Sequence, residues 1–309
     1  MANDRRRFLK GSCAGLATLA AGPVLAAAAG SAGATAPVAV ANLGQRIRVI
    51  SNVPGNVLAY DTGNGLLLVD SGSTALAPAV RKALGSQRIS TLFNTHYHAD
   101  QTGGNALFAK SGAEIHAHTV TKQWLAADYW SPAENRWIKA PPKEAVPTVT
   151  FRERGTLTAG SEHIEFGYLL EAHTRGDCYV YLRDSNVLAV GDVASPLRDP
   201  MLDWFSGAWL GGRVDAMDLL LGLANEQTQI VPAYGAVMTR AQLQAERDMM
   251  FKIYERTAAL IGKGNSAQDM LTAGVLGDVG RTFQDPYRFL YDVAKGFQAH
   301  YTNFGGNVV

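Results

Sequence analysis

The sequence predicts an α/β fold, a four-layer αββα sandwich, on three observations. Apolar runs of strand length fall in two groups. Each group is followed by stretches with apolar residues at helical spacing. Glycine, proline and asparagine signals separate the runs. Several histidines and aspartates fall where an apolar strand-length run meets a loop. The 309 residues, 47% of them hydrophobic, suffice for one large core. A formal net charge of only +1 and no basic stripe argue against nucleic acid as a partner.

Residues 1–36 are set apart as a targeting segment. Asp4–Gly11 reads DRRRFLKG, with the pair Arg5-Arg6, and a weakly apolar run of small residues follows. This is the pattern of a twin-arginine export signal. Pro23 and the many glycines make the run a poor spanning helix. Cleavage is expected between Ala28 and Ala36. The mature chain is then a single domain over residues 37–309 with a C-terminal helical extension. It is expected in the periplasm, delivered by the twin-arginine machinery, with no stable membrane anchor. Losing Arg5, Arg6, Arg7, Lys10 and Asp4 changes the formal charge from +1 to −2. Cys178 is the thiol that remains, so no internal disulfide forms.

Along the mature chain, residues 37–46 read as a short mobile lead-in. RIRVI, NVLAY and GLLLVD are strands separated by Pro54-Gly55 and Gly63-Asn64-Gly65. ALAPAVRKALG is a helix stopped by Gly85, and STLFNT is a buried strand. Gly103-Gly104 turns into a helix that Asn105 is placed to cap. EIHAH is a strand, and TVTKQWLAADYW reads as helix. A second half begins near Val149 with the strands TVTF, TLTA, HIEFGYLLE, CYVYLR and NVLAVGD. VDAMDLLLGLANE and RAQLQAERDMMFKIYERTAALIGKG are helices, with the short strand TQIVP between them. Asp285–His300 is a last helix.

The chemistry concentrates at residues 95–105, THYHADQTGGN. His96 and His98 are two apart in an extended segment, so their imidazoles fall on one side. Such a pair can share one metal ion. Asp100 continues the spacing and can reach a second ion or a water. AHTRGD places His173 after a predicted strand, and NVLAVGD places Asp192 at the end of another. Packing gives no reason for three histidines and two aspartates in that arrangement.

With these motifs in hand, the chain resembles the metallo-β-lactamase fold superfamily, which includes glyoxalase II-like hydrolases. THYHADQTGGN, AHTRGD and VGD run in that family's order, and the similarity covers about Arg46 to Gly262. The resemblance implies that His96, His98 and His173 bind a first metal. It also implies that Asp192 bridges two metals and that Asp100 binds the second. The chain departs from the family at Gln101 and Tyr234, where a histidine is usual. Both departures fall on the second site, leaving Asp100, Gln101, Asp192 and Tyr234 as an all-oxygen set. Such a set disfavours zinc relative to Mg²⁺, Mn²⁺ or ferric iron. The expectation is one tightly bound zinc, with iron or manganese as alternatives, and a second position weak or empty.

The activity implied is that of an exported hydrolase acting on a small molecule. Metal-activated hydroxide would attack an ester, lactone, thioester or amide carbonyl, a β-lactam included. Asp100 would orient the water or accept its proton, and Tyr234 would donate to the oxyanion. The alternatives are a mononuclear iron enzyme akin to persulfide dioxygenases, or a non-catalytic metal-binding protein with a degenerate second site. The iron enzyme would use His96 or His98 with His173 and Asp192. Trp124, Trp130, Trp137, Trp204 and Trp209, with Tyr129 and Phe205, follow the ligand segments. They either line a cleft for a ring-bearing substrate or pack two loops together. His116 and His118 read as ordinary half-buried histidines, His163 and His300 are isolated, and Cys178 fills a buried slot.

Overall fold

The computed structural model describes residues 37–305 apart from Ala133, so the targeting segment at residues 1–36 lies outside the described residues. The first half holds β1 (Ala39–Asn42), β2 (Ile47–Ser51), β3 (Val57–Asp61) and β4 (Leu66–Val69), then α1 (Ala77–Leu84) and β5 (Ile89–Asn94). Two short helices follow, α2 (Ala99–Thr102) and α3 (Asn105–Lys110), then β6 (Glu114–His118) and α4 (Thr119–Leu125). A hairpin of β7 (Tyr129–Ser131) and β8 (Arg136–Ile138) precedes β9 (Val149–Phe151). These strands, hairpin excepted, form a seven-stranded sheet in the order β1-β2-β3-β4-β5-β6-β9. Its β1–β4 side is antiparallel and its β4–β9 side parallel.

The second sheet takes β10 (Arg154–Ala159), β11 (Glu162–Leu169), β12 (Asp177–Leu182), β13 (Val187–Gly191) and β14 (Gln229–Pro232) in sequential order. Only β13 and β14 pair in parallel there, because α5 (Leu210–Leu223) crosses over between them. The chain continues through α6 (Arg240–Ile261), α7 (Ala267–Thr272) and α8 (Pro286–Gly305).

Strand periodicity assigns the layers. In β4, Leu67 and Val69 face the second sheet, where they meet Ile164, Val180, Leu182 and Val187. Leu66 and Leu68 point the other way, against Val80 and Leu84 of α1 and Phe108 of α3. In β13, Val187 and Ala189 enter the inter-sheet layer, whereas Leu188 and Val190 pack under α5–α8 with Met217, Leu243, Met250 and Leu290. A strand buried on both faces shows no polar alternation, which is why GLLLVD and NVLAV read as continuous apolar runs. The four-layer αββα arrangement is therefore the one the sequence predicts.

The structure corrects four local expectations. Residues 39–42 are a strand, because β2 offers an unpaired edge that they satisfy. The helix after β6 stops at Leu125. Tyr129 packs edge-on against Trp124 and Tyr97, and that contact favours an extended chain over local helix propensity. Asn105 does not cap α3. Gly104 holds that position, and the buried Asn105 amide instead bonds Asn94 and the Ala145 carbonyl. Helix α7 was not expected. Its six residues are too few to show a period, though Ser266 and Asp269 form a capping box. Among the described residues no helix is long and apolar enough to cross a membrane.

Leu67, with no exposed surface, contacts both sheets' inner faces. Leu67→Ala is expected to cost about 2–5 kcal/mol of unfolding free energy. Urea titration checks this, and a loss below about 1 kcal/mol would contradict the two-sheet packing.

Candidate metal centre

The candidate residues leave the C-terminal ends of strands on one edge of the sandwich. The loop after β5 carries His96, His98 and Asp100, and the loop after β11 carries His173. Asp192 follows β13 directly, and Tyr234 lies two residues past β14. Gly191 lets the two sheets close here. Its φ is 58°, and an added Cβ would lie 2.8 Å from Thr95. Asn56 ties the halves together through its side chain to the Pro232 and Gly235 carbonyls and its N–H to Ala233. Arg213, fully buried, holds the Met201 and Asp192 carbonyls at 2.9 and 2.7 Å.

His96, His98 and His173 converge, with one nitrogen of each within 4.8 Å of the others. Their outer nitrogens define the tautomers. His173 Nδ1 lies 2.9 Å from the Met201 carbonyl, which only accepts, so Nδ1 carries the proton. His98 Nε2 lies 3.2 Å from the Asp203 carboxylate, so Nε2 donates. With Asp70 ionised, the Thr95 hydroxyl donates to it at 2.8 Å, which leaves the hydroxyl's lone pair to accept from His96 Nδ1 at 3.1 Å. The inner nitrogens are thus His96 Nε2, His98 Nδ1 and His173 Nε2, all with lone pairs free. His96 Nε2 is buried without a hydrogen-bond partner. His98 Nδ1 and His173 Nε2 stand 3.0 Å apart. Two lone pairs at that distance repel unless a cation lies among them or one nitrogen is protonated. Three convergent neutral imidazoles of this kind fit a tetrahedral zinc with one open position.

Burial first, then the neighbouring positive charges, hold His96 and His173 well below the usual imidazole range. His98 differs. Burial pulls its pKa down, but the hydrogen bond and charge of Asp203 outweigh burial and raise it. Asp70, pushed up to about 8 by burial, receives the Thr95 N–H and hydroxyl, which favour its carboxylate. Asp177, pushed up to about 7 by burial, pins the His173 turn through the N–H groups of His173 and Thr174.

The oxygen groups are arranged differently from a vacant metal site. Asp192 Oδ2 is 3.4 Å from His173 Nε2, yet both its oxygens have protein partners. Ser195 donates to one and the Arg198 guanidinium pairs with the other. Tyr234 donates its hydroxyl to Asp100. The Arg198 guanidinium carbon sits over the Tyr234 ring, 3.7 Å from its centre. Burial and then the charge of Asp100 raise the Tyr234 pKa, so its phenol stays protonated. Gln101 is fully buried against Gly55, and both ends of its amide lack hydrogen-bond partners among the described residues.

Sequence reasoning missed Thr95, Asp203, Met201 and Arg198. Asp203 and Tyr97 share one hydrogen bond beside His98. No sequence signal marks a backbone carbonyl or a loop arginine for such duty. His116 and His118 bond Glu114 and the Arg152 carbonyl, outside the cluster. Of the aromatic residues, Trp124 stacks on Tyr97 at 5.0 Å. With Tyr129 and Phe205 it walls an open cleft of about 680 Å³ that Arg175 and Asp128 border. Trp130 and Trp137 are an exposed pair on the hairpin, and Trp209 packs under α8 against Phe297.

The family model of the metallo-beta-lactamase superfamily matches residues 50–230. The chain belongs to this superfamily. It is 24% identical over 203 residues to a metallo-beta-lactamase type 2 of Bacillus sp. (strain 170), covering 64% of this chain and 73% of that one. It is 26% identical over 257 residues to the 2,4-dinitroanisole O-demethylase subunit alpha of Nocardioides sp. (strain JS1661), covering 80% and 69%. Among solved structures, a metallo-beta-lactamase from Pontibacter korlensis superposes with a TM-score of 0.57 at 19% identity, over 69% of this chain and 98% of that one. The stereoselective inverting sec-alkylsulfatase Pisa1 from Pseudomonas sp. gives 0.60 at 18%, over 87% of this chain and 50% of that one. These two likenesses show the fold.

A raised His98 pKa makes metal binding proton-linked, because the ligand must be neutral. Below the raised His98 pKa, zinc binding is expected to release a proton. Asp203→Ala removes the cause of the raised pKa, so proton release should fall. Zinc affinity should also fall about 10–100-fold. Calorimetry in buffers of different ionisation enthalpy measures both, and unchanged proton release would refute the His98–Asp203 linkage.

Proposed function

We propose that this protein is an exported, zinc-dependent hydrolase of small molecules. The observation that carries the reading is the set of three histidines whose outer nitrogens are all bonded to acceptors and whose inner lone pairs converge. A zinc ion held there would supply a Lewis acid and a nucleophile of hydroxide strength near neutral pH.

The chain's own residues supply the rest. Asp100, whose carboxylate Tyr234 holds in position, would accept the proton of an attacking water. The Tyr234 hydroxyl would donate to a developing oxyanion. Arg198 adds a fixed positive charge beside the same position. The cleft walled by Trp124, Tyr129 and Phe205 suits an apolar or ring-bearing substrate. Three imidazoles favour this reading over a two-histidine, one-aspartate iron centre, since both oxygens of Asp192 already have protein partners.

The relatives named above widen the substrate panel beyond carbonyl compounds. It should hold esters, lactones, thioesters, β-lactams, aryl methyl ethers and alkyl sulfates. His173→Ala is expected to abolish both zinc binding and turnover. Tyr234→Phe should lower kcat about 10–100-fold and keep the metal. Zinc-loaded protein inert across the panel would overturn the hydrolase reading, and unchanged kcat in Tyr234→Phe would remove the phenol from catalysis.

Export by the twin-arginine route to the periplasm rests on Arg5-Arg6 and the weakly apolar run after them. Lysines at both positions should leave the protein in the cytoplasmic fraction. Unimpaired export of that variant would refute the route.

A further inference from the structure

We infer that Arg198 is a built-in cation that takes the place of a second metal ion, so that the centre holds one ion. The inference rests on the hydrolase reading only for the first ion, at the three histidines.

Asp100, Asp192 and Tyr234 bring two carboxylates and a phenol together beside the imidazoles. A second cation would be expected to find its ligands there. The Arg198 guanidinium already holds that ground. It pairs with Asp192 on the oxygen nearest His173, and it covers the Tyr234 ring at 3.7 Å. Ser195 takes the other Asp192 oxygen, and Tyr234 takes an oxygen of Asp100. A metal ion entering this space would have to displace three protein contacts and sit against a permanent positive charge. Arginine stays protonated at any working pH. The planar guanidinium suits both tasks, one edge pairing with a carboxylate and one face stacking on a ring.

The chain holds the arginine in place through its loop. Residues 192–198 leave β13 as a short connection, with the Asp192 carbonyl fixed by Arg213 and the Ser195 carbonyl by Arg281. Arg281 is in turn paired with the buried Glu246 of α6. The cation is therefore anchored from the helical layer. Gln101 is the competing possibility within the site. Its buried, unpaired amide oxygen could meet an ion. Binding of a second ion there would show as a second equivalent in the wild type.

The test counts ions on purified, folded protein by native mass spectrometry and by cobalt titration in the visible range. In excess zinc or cobalt, the wild type should hold one ion. Arg198→Met keeps the stem, removes the charge and frees Asp192. It should take a second ion about a hundredfold more tightly than the wild type does. Arg198→Lys keeps the charge and should stay at one. A second firmly held ion in the wild type overturns the inference, as does a count of one in folded Arg198→Met. If Arg198→Met does not fold, the counts for wild type and Arg198→Lys decide. No ion in the wild type would instead overturn the hydrolase reading, whereas one ion in both wild type and Arg198→Met leaves that reading standing.

Discussion

The centre depends on a constraint about protons. A histidine binds a metal through a nitrogen that has no hydrogen, so its other nitrogen must carry one and must have an acceptor. The fold supplies three acceptors of different kinds: the Thr95 hydroxyl, the Asp203 carboxylate and the Met201 carbonyl. Each comes from a separate arrangement. Thr95 is oriented by Asp70, Asp203 also receives Tyr97, and Met201 is held by Arg213. The tautomers, and with them the direction of three lone pairs, are consequences of how two sheets and one long loop meet.

Burial makes that constraint strict. His96 and His173 are almost fully buried, and taking a charged imidazole out of water is costly. The neutral form is therefore the resting form at these two positions. His98 is the exception because Asp203 offsets its desolvation. Of the three rings, His98 is thus the one that holds a proton more readily than a free imidazole, and the other two hold one less readily. This asymmetry comes chiefly from the Asp203 carboxylate, which is hydrogen-bonded to the His98 ring.

Much of this was legible in the sequence because strand ends leave a local signature. GLLLVD, STLFNT and NVLAVGD are apolar on both faces and stop abruptly at polar residues, so the layers and the edge that carries the site could be read from them. His96 and His98 announced themselves by spacing, and His173 by its place after a strand. The supporting contacts had no such signature. Met201 acts through its carbonyl, which no side chain reveals, and Arg198 looks like any loop arginine. Asp203 lies 105 residues from His98 in the chain. The β7–β8 hairpin was also hidden, since Tyr129 is extended because of Trp124 and Tyr97, not because of its neighbours in sequence.

Gln101 and Tyr234 looked in the sequence like two losses at one position. In the fold they have separate fates. Gln101 is a buried amide against Gly55, whereas Tyr234 is joined to Asp100 and lies under a guanidinium. A histidine at position 234 would have offered a lone pair beside Arg198 and a smaller ring for the arginine's face. A phenol offers a ring for that face and a hydroxyl for the carboxylate. Tyr234 therefore serves Arg198 and Asp100 at once. Tyrosine and arginine form one unit, in which Arg198 pairs with Asp192 and Tyr234 orients Asp100.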